Sequence, residues 1–495
     1  MQDYKIPNRP QMLHAYDNQR IAETSRRRRM LDGTWEPDLM ETLRQHLSPS
    51  RVENWGVPDL STNLLETITR DLAKLYHETP TVTHPSANIE RLTARNGLLQ
   101  GLWPMMQSAQ QAILAMRECV IRIDHVPAGE LDENGTLQYR IVTPDFLYLE
   151  ASPSAPDIPF YYQEYRIRSL RKKNTVSGKM EEPRIIWTVD IFDIRNKSKP
   201  VFKICEVNQD GTLGEDLTKQ FLGTAALKGD KYPYRYQNGF PFIPCVLYHA
   251  EKTGKLWNAY DKQSLVEGSL NSALLNSFWL HICKSCSYEQ RYIAGLTLSG
   301  LEQRDMEQTA RRAEISTDPS SILVFQQDAD GMAGQPLIGS WSPSVDPGKF
   351  MEAIHSYERR IASSFSISSS LLRESGDPRS GYSLSISRDG QRQAQRIQAP
   401  TFRVYDSKLI QKIAAMANIF LGESLPEDRL YRVNYAPIPL SATESKELRD
   451  NILQLVSAGL MSPIQAYQQL NPDTDEIQAK LELESIRQLR QQYQM

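Results

Sequence analysis

Residues Tyr260 to Ser287 read "YDKQSLVEGSLNSALLNSFWLHICKSCS", with Val266, Leu270, Leu274, Phe278, Ile282 and Cys286 at every fourth position. On a helix of 3.6 residues per turn each such step drifts about 40°, so the apolar stripe winds around the rod. A rod of this length, about 42 Å at 1.5 Å per residue, wants neighbours on more than one side. The fold is read outward from it.

A second helix with Phe350, Ile354, Tyr357, Ile361 and Phe365 on one face is predicted over Lys349 to Phe365. Between the two lies an insert of about sixty residues, in which "SILVFQQ" and "GQPLIGSW" read as strands around a turn at "DADG", Asp328 to Gly331. The chain thus leaves on one long helix, builds a small α/β knob and returns on another. Then comes "SSFSISSSLLRESGDPRSG", a loop by composition. Helical patterning resumes at Tyr382, places Arg388, Arg392 and Arg396 on one face at i, i+4, i+8, and meets Pro400, expected to kink or break it. Phe402, Tyr405, Leu409, Ile413, Met416 and Phe420 carry the pattern on to Gly422.

Before Tyr260 the period changes. "ECVIRIDHV", "LQYRIVTPDFLYLE", "FYYQEYRIRS", "RIIWTVDIFDIRN" and "PVFKICEVNQDG" alternate near period two and are rich in β-branched and aromatic residues, so about 117–250 is mostly β. The prolines of "YQNGFPFIPCVLYHAE" point to edge or rim strands. "DLSTNLLETITRDLAKLY" puts Leu64, Ile68, Leu72 and Leu75 on one helical face up to Thr79-Pro80. Arg26 to Arg29 point in four directions on a helix, which predicts a solvated or interface helix. The last 55 residues read as three helices: Gly459 ends the first, Ser462 caps the second with Pro463 behind it, and "NPDTDE" opens the third.

Composition narrows the function. The 495 residues suggest about three structural units. With 57 Lys+Arg against 60 Asp+Glu the net charge is −3, so any contact with nucleic acid is local. Five scattered cysteines and a start without an apolar run predict a reducing cytoplasm, and no stretch is apolar enough for a bilayer. No GxxxxGK[ST], GxGxxG, HExxH or GxSxG occurs. Cys283 and Cys286 form a lone CxxC, read as buried small hydrophobes rather than metal ligands, and "DADG" lacks the later acidic ligand of a calcium loop. The eight histidines are scattered, so no catalytic, metal or cofactor residue is nominated.

This order of parts, an α+β chain with a helical start, β-rich middle, long helix, small insert, second helix, Ser/Gly loop, long helix and helical end, resembles the portal proteins of tailed bacteriophages. The stretches "DLAKLYHETPTV", "IVTPDFLYLE", "NGFPFIPCVLYH", "SGYSLSISRDG" and "SAGLMSPIQAYQQLNPDTDE" carry the resemblance, which covers nearly the whole chain. It implies a wing over 1–257, stem helices over 258–287 and 346–365 around a clip at 288–345, a tunnel loop at 366–381, a wing helix and following segment at 382–440, and a crown at 441–495. It further implies a ring, usually a dodecamer, at one capsid vertex of the virion, assembled in the bacterial host cytoplasm.

Such a ring is the conduit for packaging and ejecting double-stranded DNA. It docks the large terminase and head-tail adaptor proteins and meets the major capsid and scaffolding proteins. On that reading Arg373, Arg379 and Ser380 face the channel, Val266, Leu270, Leu274 and Phe278 pack between subunits as well as within one, and Arg388, Arg392 and Arg396 form a basic intersubunit face. Two competing readings are a clamp-like nuclease or recombinase, which would need clustered carboxylates, and a shorter head-tail adaptor.

Overall fold

The computed structural model describes residues 18–493 except 49–51, 53–57, 86–87, 95–96, 128–134, 171–182, 227–230, 259–263, 288–289, 295–322, 326–336, 342–344, 366–380, 439–441 and 472–475. It is a mixed helix and sheet protein. Helices α1 (Asn18–Leu31), α2 (Glu36–His46), α3 (Leu64–Leu72), α4 (Glu90–Thr93) and α5 (Trp103–Met116) come first, with a short strand β1 (Thr81–Thr83) among them. Then follow β2 (Glu118–Val126), β3 (Thr136–Val142), β4 (Leu147–Ser152), β5 (Ala155–Leu170), β6 (Arg184–Asp193), β7 (Val201–Val207) and β8 (Leu213–Asp216). A helix α6 (Thr218–Ala226) and strand β9 (Cys245–His249) close the β-rich region where its alternating period ends.

β4 to β8 form an antiparallel meander in chain order, and β2 sits between β3 and β9 in a three-stranded antiparallel sheet. β2 is central there, and its first six residues are all buried. β9 is an edge, which accommodates Pro244 immediately before it; the Pro244 carbonyl still accepts from the Ile123 N–H at 2.9 Å. β8 ends the meander as four exposed residues, Leu-Gly-Glu-Asp, a short acidic edge that discourages further pairing. Between α5 and β2 the chain reverses through Arg117, whose φ of 74° is left-handed, and the Arg117 carbonyl accepts from Ala250 N–H at 2.8 Å, tying the turn to the end of β9.

The second half begins with α7 (Ser264–Ser287). Strands β10 (Gln290–Ala294), β11 (Leu323–Phe325) and β12 (Leu337–Trp341) follow, and α8 (Pro347–Ser364) returns. A 40-residue helix α9 (Gly381–Phe420), strand β13 (Arg432–Asn434) paired with β1, and helices α10 (Ala442–Ser457), α11 (Pro463–Leu470) and α12 (Glu476–Tyr493) complete the chain. One continuous core joins α1–α3, α5, the β2 sheet, the N-terminal half of α7 and the C-terminal half of α9.

Several sequence expectations are corrected. The helix expected to run to Tyr76 ends at Leu72: the Leu75 N–H is taken by the Gln110 side chain at 3.0 Å, so the chain leaves the helix without losing that bond and still buries Leu75. The strands expected as a hairpin do not pair with each other. Both flank β10, β11 parallel to it and β12 antiparallel, and the "DADG" turn lies outside the described residues. Pro400 does not break α9; it is exposed, where the proline ring has room and water can reach the carbonyl it deprives of a partner.

The arginine run is no solvated face. Arg27 is fully buried, donating to Ala115 O at 3.0 Å and to Glu23 at 2.9 Å. Arg28 pairs with buried Asp145 at 3.0 Å, Arg29 with Asp38 at 2.6 Å and Arg26 with Glu267 at 3.1 Å. Cys283 and Cys286 are half-buried rather than in the core, and Cys286 Sγ approaches Val345 O at 3.6 Å.

At the helical end the local signals are realised. Gly459 has φ +72°, with Leu460 N–H on Leu455 O at 2.9 Å and Gly459 N–H on Val456 O at 3.1 Å, the paired bonds of a Schellman cap. Ser462 and Gln465 form a capping box around Pro463.

Candidate functional site

The feature that organises the second half is the antiparallel pair α7–α8. Its register is set by close approaches down its length. A Cβ at Gly268 would lie 2.6 Å from Ile361 Cδ1, so the absence of a side chain there is what lets the helices touch. Ser272 Oγ donates to Glu358 at 2.6 Å, Trp279 Nε1 to Pro347 O at 3.0 Å, and Cys286 meets Val345. In the chain, the three-stranded sheet of β10–β12 lies between the end of α7 and the start of α8. At the near end Arg26–Glu267, Leu65 N–H to Ser269 Oγ at 2.9 Å and Asp59 N–H to Ser277 Oγ at 2.8 Å tie α7 to the N-terminal helices.

Of the four stem residues expected to pack between subunits as well as within one, three belong to the chain's own core. Val266 and Leu270 are fully buried and Leu274 is 5% exposed, so Val266 and Leu270 leave no surface for a neighbour. The drift of the stripe explains this: the body covers one side of α7 and α8 covers another. Phe278 is half-buried and Leu280 is 48% exposed, so among the described residues of α7 apolar surface emerges toward its C-terminal half. Arg373, Arg379 and Ser380 lie outside the described residues. The side chain of Arg388 is likewise not described; Arg392 is half-buried and Arg396 exposed.

α9 enters the body through polar contacts that the sequence reading missed. Gln395 donates to Ala436 O at 2.8 Å, and Gln398 accepts from Gln110 at 2.6 Å. Asp406, 1% exposed, accepts from three hydroxyls: Tyr76 at 2.9 Å, Tyr248 at 2.8 Å and Tyr435 at 2.7 Å. These tyrosines come from the segment after α3, from β9 and from the segment after β13, so one carboxylate ties three parts of the chain to α9. Burial pushes its pKa up to about 6, and the three phenol bonds hold it from rising further. Six residues on, Lys412 donates to Ile243 O at 2.9 Å and Cys245 O at 2.6 Å, and burial lowers it to about 8. An acidic residue and a lysine six apart inside an apolar helical pattern were the available signals.

Elsewhere in the body, buried charges lock strands together. Burial alone would raise Asp124, but Arg140 at 2.5 Å, Arg122 at 3.2 Å and Arg166 at 3.3 Å overturn that and hold it well below the carboxylate range. Arg140 also pairs with Glu164, and Arg168 with Asp190 at 2.5 Å. Glu118 is pushed up to about 8 by burial, against the Asn258 N–H and the nearby guanidinia of Arg20, Arg117 and Arg27. Arg20 donates to Pro144 O at 2.5 Å and Leu147 O at 2.9 Å and lies 3.9 Å from the Trp257 ring. Among the described residues no group of three or more His, Cys, Asp or Glu is placed to hold a metal ion, and no helix is long and apolar enough to cross a membrane.

The uncovered apolar surface is concentrated late in the chain. Ile397 is 66% and Val404 48% exposed, seven residues apart on one face of α9. In α10 and α12 Leu453 and Leu481 are 65% and 61% exposed and in the turn after α10 Leu460 is 78% exposed, while Ile452, Ala466 and Ala479 are buried.

No family model matches the chain, and neither does any curated protein. Among solved structures, a chain described as "Neck of native GTA particle computed with C12 symmetry" aligns over 82% of this chain and 89% of its own, at 12% identity and a TM-score of 0.38. That likeness is loose.

Proposed function

We propose that this chain is the subunit of a portal, a homo-oligomeric ring of about twelve copies at one capsid vertex that conducts double-stranded DNA during packaging and ejection. The observation that carries the reading is the α7–α8 pair, fixed at its base to the α/β body, bearing a small three-stranded tip, and followed by a 40-residue helix that starts directly after 366–380. On this reading the body packs side by side with its neighbours, the insert between α7 and α8 docks a terminase and later head-tail adaptors, and the segment 366–380 lines the channel. Major capsid and scaffolding proteins would meet the body, and the protein would reside in the virion, after assembly in the host cytoplasm. Exposed leucines on α10–α12 and the Ile397–Val404 face of α9 support side-by-side packing.

Its chemistry is mechanical rather than catalytic. Arg373 and Arg379 stand with Glu374 and Asp377 in a near-neutral segment, so contact with passing phosphates would be weak and salt-screened, as sliding requires. Replacing both arginines with alanine is expected to leave assembly intact and to change the length of DNA packaged or retained in capsids. A double variant that packages and retains DNA like the parent refutes the channel role.

A further inference from the structure

The pair α7–α8 has two unlike sides. On one, a cleft of about 510 Å³ opens between the α3 entry and the helix pair, lined by Asp59, Thr62, Asn63, Asn276, Met351 and Glu358 among others. Glu358 is 3% exposed, and Asp59 is half-buried, accepting the Ser61 N–H at 2.9 Å. Among the described residues that line this cleft, the carboxylates of Asp59 and Glu358 are the ionisable groups, with Glu358 accepting from Ser272 Oγ at 2.6 Å, and no lysine or arginine is among them.

On the other side, α8 presents Lys349, Ala353, Ser356, Arg360 and Ser363, all exposed. At 100° per residue Arg360 lies about 180° around α8 from Met351 and about 200° from Glu358, the two α8 residues that line the cleft. This face is basic and small: Lys349 and Arg360 supply the charge, while Ala353 and Ser356 permit another helix surface to come close. The Arg360 guanidinium stands 5.4 Å from the Tyr357 ring.

A head-to-tail contact that closes into a ring needs two different, complementary surfaces on opposite sides of each subunit. We propose that these are two halves of one such contact: the α8 outer face of one copy seats against the acidic cleft of the next, with Arg360 entering it. This deepens the ring reading and rests on it. The occupant is a second copy of this chain, because the complementary charge is carried by the same chain, on the face turned away from the cleft. An arginine entering a partly desolvated carboxylate site gains charge-assisted hydrogen bonds and fixes the register between neighbours.

The test uses the full chain and follows assembly by mass photometry across concentration and salt. The R360E variant should keep the parent's far-ultraviolet circular dichroism spectrum yet need roughly tenfold or more protein to reach half assembly, by the loss of one such contact per interface. Adding D59R to R360E should restore assembly. As an independent readout, T62C with S356C should give interchain disulfides on oxidation, with neither single variant forming the ladder. If the parent forms rings and R360E forms them equally well, with no ladder from the cysteine pair, this inference fails while the ring reading stands. If the parent stays monomeric at every concentration, both fail.

Discussion

Substituting Leu274 separates two roles that a stem residue can have. Leu274 is 5% exposed and belongs to the continuous core between α7 and the N-terminal helices. Truncation to alanine removes a buried isobutyl group and leaves a cavity, at a cost of about 2–5 kcal/mol, against total stabilities of about 5–15 kcal/mol. Leu274→Asp loses the same contacts and also desolvates a carboxylate in the apolar core, adding several kcal/mol. The expected outcome is therefore a damaged protomer. L274A should melt several degrees below the parent by circular dichroism, and L274D should give little folded protein at all. A well-folded L274D monomer with the parent's melting curve and no ring would refute the reasoning, because it would place Leu274 between copies rather than inside one.

Asp406 makes stability pH-dependent in a defined direction. Its folded pKa, about 6, lies above the ordinary 3.8, so the folded state binds the proton more tightly and this group's contribution is full below about pH 4 and lost as pH rises to about 6. The parent-minus-D406N difference in melting temperature should fall across that window and flatten above it; a difference that is flat from pH 4 to 7 contradicts the assignment. Ser462→Ala removes the hydroxyl that accepts the Gln465 N–H at 3.2 Å and should cost about 1 kcal/mol, read as a lower melting point of the C-terminal helices. Gly268→Leu should wedge α7 from Ile361 and destabilise the pair by about 1–3 kcal/mol, whereas an unchanged melt would mean the two helices do not touch there.

Periodicity and punctuation were legible in the sequence: α7 and α8, the switch to β at residue 118, and the caps at Gly459 and Ser462 all follow from local chemistry. Long-range polar pairing was not. Arg27 looks like any surface arginine until Glu23 and the Ala115 carbonyl surround it, and Asp406 gives no sign in its own helix of the three tyrosines that reach it from residues 76, 248 and 435. The strand order at the tip escaped for a related reason. "SILVFQQ" and "GQPLIGSW" suggest a local hairpin, but the partner of both, β10, directly follows α7 and lies about thirty residues upstream of β11. The winding stripe on α7 was read correctly as needing several partners; which of them belong to the same chain is a tertiary fact.

The central claim is that copies of this chain close into a ring around a channel, and class averages of the purified full-length protein by negative-stain electron microscopy test it most directly. The account predicts rotationally symmetric particles of about twelve subunits, with a central hole and a narrower projection formed by the α7–α8 tips. Uniform globular monomers, or compact dimers without a hole, at concentrations where an assembled ring should persist, would contradict it.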